Sequence, residues 1–293
     1  MNNTIRRPGR RNRIKLTPVQ GLLTALKYLS LIFLSLVTII PMIVIFLGSF
    51  KTSYELLSTG PFELPKSFLN VSNYVRAFSE GGMAKGFFNT ALILVVSLIA
   101  TVMTGAMTSY ILSRFDFKGR RLIEGLFLAA SLIPSITTTA STYLIMKNLG
   151  LLDTRWVLII LYAGTDIITI YIFLQFLNGI STSIDEAAIV DGANYFQIFF
   201  KIILPLLKPA IATTVILKGV AFYNDFYTPY IFTMGNKDIA VISTALYKFQ
   251  GPYGTEWEVI CAGVVITMIP TLIIFLALQK WIYAGLTEGS VKE

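Results

Sequence analysis

Apolar residues in this chain fall into six long blocks, separated by short stretches rich in charge and turn formers. The blocks lie near 28–50, 88–112, 122–146, 156–177, 210–232 and 260–281. Each is long enough to cross a hydrocarbon core, which takes about 20 helical residues. None shows the strict alternation of a membrane β-strand. The pattern predicts an all-α integral membrane protein with six transmembrane helices.

Positive charge then gives the expected orientation. The first 27 residues carry Arg6, Arg7, Arg10, Arg11, Arg13, Lys15 and Lys27, and the link 113–121 carries Arg114, Lys118, Arg120 and Arg121. Lys and Arg are retained on the cytoplasmic side, and two spans separate these segments, so both are expected inside, together with the N and C termini. The expected division is a basic cytoplasmic segment (1–27), a first span (28–50), an external loop (51–87), a five-span core (88–281) and a cytoplasmic tail (282–293). A signal peptide competes for the N-terminus. The 28–50 run is too long for one and lacks a small-residue cleavage pattern, which favours a retained anchor.

Composition narrows the function classes. Of the 293 residues 55% are hydrophobic and 14% charged, against about 25% charged in soluble domains. Too little polar surface remains to cover a water-soluble fold, whereas lipid needs none. The net charge of +8 sits in blocks between apolar runs, which argues for topology rather than nucleic-acid binding. Cys261 stands alone and there is no histidine. No intrachain disulfide is therefore expected, nor a catalytic metal, nor a serine- or cysteine-type triad. No G-x-x-x-x-G-K-[ST] string occurs, which excludes ATP hydrolysis by a P-loop on this chain; no cofactor is expected on it.

The segment 178–209 is the informative one. It reads S-I-D-E-A-A-I-V-D-G-A-N-Y-F-Q-I-F-F-K-I-I-L-P-L-L-K-P from Ser183 onward. Ser183 with Glu186 has the form of a capping box, Gly192 suits a left-handed break, and Asn194 with Gln197 can cap a second helix. Pro205 is expected to stop that helix. Ile184, Ala187 and Ala188 offer a small flat apolar patch, flanked by Glu186 and Asp191. Such a knob can dock into a partner's cleft or pack beneath the bundle as a lid, and the residues alone leave both open.

Glu186-Ala187-Ala188, three residues, Gly192, nine residues, then Ile202-x-Leu204-Pro205 follows the E-A-A-x3-G-x9-I-x-L-P pattern. On it the chain resembles the membrane subunits of bacterial ATP-binding cassette importers. The resemblance is nearest the carbohydrate type, to the smaller permease of maltose-like systems. Other residues carry it too: G-S-F-K-T at 48–52, Tyr110 with Arg114, Phe117 and Gly119, L-G-L-L-D-T at 149–154, N-D-F at 224–226 with Pro229, and G-L-T-E-G-S-V-K at 285–292. The chain departs from many relatives in having Ser181 and Ser183 where they have Pro and Glu.

The resemblance implies a type I importer permease fold. It also implies that Ser183, Ile184, Glu186, Ala187, Ala188, Asp191 and Gly192 seat a coupling helix in an ATPase subunit. The expected partners are a second homologous permease, ABC ATPase subunits that bind the ATP and Mg, an extracytoplasmic substrate-binding protein, and a carbohydrate. Phe249, Gln250, Gly251, Pro252 and Tyr253 form a turn that can reach the binding protein, or a plain connector.

Ionisable residues inside spans are costly and usually face a bundle interior or water. Here they are Glu124, Asp166, Lys218 and Asp225. Glu124 can reach an interface; Asp166 and Lys218 suit an ion pair between spans or a pathway lining. Tyr223, Asn224, Asp225 and Tyr227 offer the stacking faces and hydrogen-bonding groups a sugar needs, or an aromatic belt. A stand-alone ion-coupled carrier is the alternative function, and a structural or sensor membrane protein a third.

Overall fold

The computed structural model describes residues 18–164, 166–251 and 254–288. Three helices in it are long and apolar enough to cross a membrane unaided: Val19–Gly48, Met83–Arg114 and Trp257–Ala277. These belong to α1 (Pro18–Gly48), α4 (Met83–Arg114) and α15 (Trp257–Glu288), so the last helix runs seven residues past the expected end of its span at 281. The expected crossings at 122–146 and 156–177 are each a bent pair. α5 (Arg120–Ser131) turns into α6 (Ser135–Asn148) by 102°, and α7 (Arg155–Ala163) into α8 (Ile167–Leu177) by 42°.

Local chemistry explains where they break. Pro134 is extended immediately before α6 and lacks the amide that would continue α5. Gly164, also extended, ends α7. The crossing expected at 210–232 divides into α12 (Lys208–Asn224) and α13 (Tyr227–Thr233), with Asp225 extended between them.

The loop helices depart from expectation in one respect. After α9 (Ser183–Val190) come α10 (Tyr195–Ile198), a π-helical turn over Phe199–Ile203, and α11 (Leu204–Leu206), which runs through Pro205. A proline ring normally collides with the carbonyl four residues back. Here the preceding turn is widened: Leu204 N–H bonds to Phe199 O, five residues away, which makes room for the ring. The sharp bend falls instead at Leu207, where Tyr195–Leu206 meets α12 at 71°.

α4 is the axis of the bundle, packed against α7, α8 and α12. Its buried Val102, Ala106 and Tyr110 join Phe173 and Leu177 of α8 and Ala210 of α12. The same cluster takes in Ala188, Ile198, Phe199 and Ile203, which fastens the 183–207 segment beneath the bundle. α1 lies along α15, and outward residues such as Leu29, Phe33 and Ile273 remain exposed. That surface is what a lipid solvent permits.

At the opposite end the segment 49–82 is built rather than slack. α2 (Ser53–Ser58) starts with a Thr52–Glu55 capping box, and α3 (Ser72–Ser79) packs on α15. Lys51 of the G-S-F-K-T string is fully buried, its ammonium donating to Thr59 Oγ1 at 2.8 Å and Gly60 O at 2.9 Å. Asn73 donates to the carbonyls of Ser49 and Lys51 at 2.9 and 2.8 Å, pinning the end of α1 to α3.

α4 approaches α8 most closely at Gly105, where an added Cβ would lie 2.5 Å from Thr169 Cγ2. Thr169 is β-branched and cannot swing aside freely. Gly105→Ala should therefore cost about 1–3 kcal/mol, read as a lower unfolding midpoint of the purified chain. Gly125→Ala on α5, where nothing lies within 4 Å, should leave the midpoint unchanged or raise it slightly.

Candidate functional site

The E-A-A segment forms a helix whose two faces do different work. Asp185 and Ala188, three residues apart, are buried against the bundle, while Glu186, Ala187 and Val190 face away. Asp185 is the anchor. Tyr110 Oη donates to its Oδ1 at 3.0 Å and Arg114 Nε to its Oδ2 at 3.1 Å. Arg114 Nη2 also donates to Ile180 O at 2.9 Å, so one guanidinium holds both α9 and the chain entering it. Tyr110 packs in turn on Phe115 and Phe199, with ring centroids 5.9 and 5.4 Å apart.

The ends of α9 are partly as expected. Gly192 has φ +84°, and Ala193 N–H reaches back to Ala188 O at 2.9 Å, closing the helix with a left-handed cap. Asn194 and Gln197 form the second box, both bonds 2.9 Å. The Ser183–Glu186 box does not form. Thr182 is already helical, and its carbonyl takes the Glu186 amide at 3.1 Å. The donor a box would satisfy is thus spent, and Ser183 Oγ pairs with Ser181 Oγ at 2.8 Å. Ala188 is likewise no part of the exposed patch: at 6% exposure it faces the core. Ile184, at 37%, and Ala187 remain on the surface beside Glu186, and Asp191 is exposed at the helix end.

Three of the four ionisable residues expected inside spans, Asp166, Lys218 and Asp225, come together at two helix breaks. Asp166 caps α8, accepting from Thr169 N at 3.2 Å and from the Thr169 hydroxyl. Its other oxygen accepts from Lys218 Nζ of α12 at 2.8 Å. Asp225 sits at the α12–α13 break and accepts from Thr228 N at 3.1 Å; its other oxygen accepts from Tyr162 Oη of α7 at 2.9 Å. Each break thus holds a carboxylate that caps the following helix and is tied to the other broken crossing. Tyr162 also stacks on Phe222 of α12, centroids 4.4 Å apart.

Other expected positions separate. Tyr223 Oη donates to Thr267 O of α15 at 2.9 Å, a bond between helices. Asn224 and Tyr227 are exposed, and Asn224 bonds back to Val220 O at 3.0 Å. Glu124 pairs with Arg120 one turn away at 3.0 Å. Phe249 is buried at 4% among Ala77, Met83 and Ile242, so it anchors its turn and presents nothing outward. Gln250 and Gly251 pair with Thr255 and Gly254 in a short antiparallel hairpin and are exposed; Pro252 and Tyr253 lie outside the described residues.

The sequence reading missed Asp185 and Tyr162. Asp185 stands beside Glu186 but three residues before Ala188, and that spacing was the available signal for a carboxylate facing inward. Tyr162 lies in a plain apolar run, and nothing in the sequence pointed to it.

Residues 97–288 match the family described as binding-protein-dependent transport system inner membrane component. The chain belongs to that family. Among its relatives, the diacetylchitobiose uptake system permease protein NgcG of Streptomyces coelicolor is 30% identical, over 92% of this chain and 89% of that protein. The arabinooligosaccharides transport system permease protein AraQ of Halalkalibacterium halodurans is 32% identical, over 89% of this chain and 93% of its own length. The trehalose/maltose transport system permease protein MalG of Thermococcus litoralis is 31% identical, over 89% and 94%. A chain from the crystal structure of a bacterial ABC transporter that imports the acidic polysaccharide alginate superposes with a TM-score of 0.78. It covers 90% of this chain and 98% of that one at 23% identity, and shows that this inner membrane component has the importer permease fold.

Two outcomes follow from the geometry. Lys218→Met leaves Asp166 charged and unpaired, which should cost about 3–5 kcal/mol; the double variant Asp166→Asn, Lys218→Met should recover much of that loss in thermal unfolding. Asp185→Ala should free α9 from α4, so that amide hydrogen exchange over 183–190 rises well above wild type while α4 itself stays protected.

Proposed function

We propose that this chain is the permease subunit of an ATP-binding cassette importer and forms half of the translocation pathway for a carbohydrate, most simply an oligosaccharide. It does no chemistry itself; ATP and Mg bind on a partner ATPase. The observation that carries the reading is the split helix α9. Asp185 is clamped by Tyr110 and Arg114 at 3.0 and 3.1 Å, which fixes Glu186, Ala187, Ile184 and Val190 as an exposed ridge on a rigid mount. A ridge so held suits a docking role better than a lid, and α4 receives any displacement of it through Asp185.

The remaining assignments belong to this reading. Both termini are cytoplasmic, six crossings are made by three continuous and three bent elements, and α9 faces the ATPase inside. A second homologous permease completes the pathway, and an extracytoplasmic binding protein delivers the sugar to the end bearing the 250–255 hairpin. Relatives named for chitobiose, arabinooligosaccharides and trehalose/maltose support the carbohydrate class. Asn224 and Tyr227, exposed beside the α12–α13 break, are the pathway candidates. Asp166, Lys218 and Asp225 position the helices around it. Both carboxylates at the breaks are already engaged at 2.8–2.9 Å, which disfavours the stand-alone ion-coupled carrier.

The test is reconstitution of the chain with its permease, ATPase and binding-protein partners, assayed for sugar-stimulated ATP hydrolysis across a panel of oligosaccharides. In this reading exposed Glu186 pairs with a basic residue of the ATPase, and Glu186→Ala should lower stimulated turnover roughly tenfold or more, as loss of one partner from an interfacial charge pair does. Sugar accumulation by vesicles holding this chain alone would overturn the reading.

A further inference from the structure

α4 carries exposed apolar residues at four-residue spacing. Val95, Ile99, Met107 and Ile111 are 52, 61, 37 and 47% exposed, with half-buried Met103 between them. Each step of four residues turns about 40° around the axis, so the stripe winds around α4 as it runs toward Arg114. Toward Arg114 it deepens into a groove of about 200 Å³. Met107, Ile111 and Phe115 form one wall; Tyr195, Phe196 and Phe199 form the other. Phe115 and Tyr195 meet edge to face at 5.1 Å, closing the groove's end.

Where the groove ends, the charged link begins. Arg114 is spent on Asp185 and Arg120 on Glu124. Lys118 and Arg121 are exposed and, among the described residues, make no ion pair. Asp116 is the carboxylate of the link with no such partner, so cations prevail there. Arg121 and Asp116 line a polar cleft with Phe117, Gly119, Arg120 and Glu124, in the link that follows Phe115 in the chain.

We propose that this end of α4 binds an anionic glycerophospholipid, with an acyl chain along the stripe and in the aromatic groove and the phosphate against Lys118 and Arg121. An apolar groove on a helix long and apolar enough to cross a membrane, with basic residues in the link that follows it, matches the two halves of such a molecule. A soluble peptide has no route to the stretch from Val95 to Met107. The site depends on the chain's place in a membrane and not on what it transports, so its failure and that of the import reading are separable.

The test uses the assembled membrane complex in vesicles containing a phosphatidylglycerol with a photoreactive group in its acyl chain. Labelled peptides should cluster at 107–115 and 195–199 and be competed by unlabelled phosphatidylglycerol. Lys118→Gln with Arg121→Gln should cut that labelling roughly tenfold, and Ile111→Trp, which fills the groove without touching charge, should abolish it. Equal labelling by the phosphatidylcholine analogue would reduce the groove to ordinary lipid contact and overturn the proposal. So would a crosslink from position 111 to a neighbouring subunit, since the groove would then be covered by protein.

Discussion

A helix that breaks inside a hydrocarbon layer exposes amides and carbonyls where no water can meet them. This chain breaks two neighbouring apolar helical elements, α7–α8 and α12–α13, and resolves both with one arrangement. Asp166 and Asp225 each cap the helix that follows the break, and each is neutralised or bonded by a side chain from the other crossing. Neither break is self-sufficient: without Lys218 the first carboxylate keeps its bonds from Thr169 but loses its counter-charge, and without Tyr162 the second loses its bond across the bundle. The two crossings are therefore stable as a pair. Thr101 Oγ1, which donates to Tyr162 O at 3.0 Å, and Ser109 Oγ, which donates to Ile170 O at 2.8 Å, tie α4 to carbonyls of α7 and α8 on either side of the first break.

The same economy governs the 183–207 segment. Adjacent carboxylates at Asp185 and Glu186 point to opposite sides of a two-turn helix, one consumed by the bundle and one left free. A short helix is marginal in isolation. Here its conformation is imposed by an ion pair, a tyrosine hydroxyl, the packing of Ala188 and a glycine closure at Gly192. Stiffness comes from that seat, not from helix propensity, so a force on the free face passes into α4 rather than bending α9.

Much of this was legible in the chain's pattern. The apolar blocks mark the long and broken helices of the bundle, and the E-A-A string marks the short helix α9 with one buried and one exposed face. What could not be read were the breaks. Pro134 was visible in its block, but Gly164 and Asp225 break their helices through backbone angles that hydropathy does not register. Ser183 illustrates a subtler failure: the box was the right chemistry, yet Thr182 entered the helix one residue early and took the bond. Phe249 and Ala188 are buried although their local sequence suits a turn and an exposed patch; clusters formed with distant residues, such as Met83 and Ala210, decide their place. Lys51 shows the converse, a cation inside a loop, held by a hydroxyl and a carbonyl from eight and nine residues on.

The widened turn over Phe199–Ile203 holds one residue more than the coil it replaces. Upstream, Ile198 and Phe199 both point into the core; downstream, Ile203, Leu207 and Ala210 do so. A helical wheel drawn through this stretch rotates everything beyond it by about 100°. The surplus residue acts as a phase shifter: it lets the chain pass a proline and still deliver its apolar face to the same side.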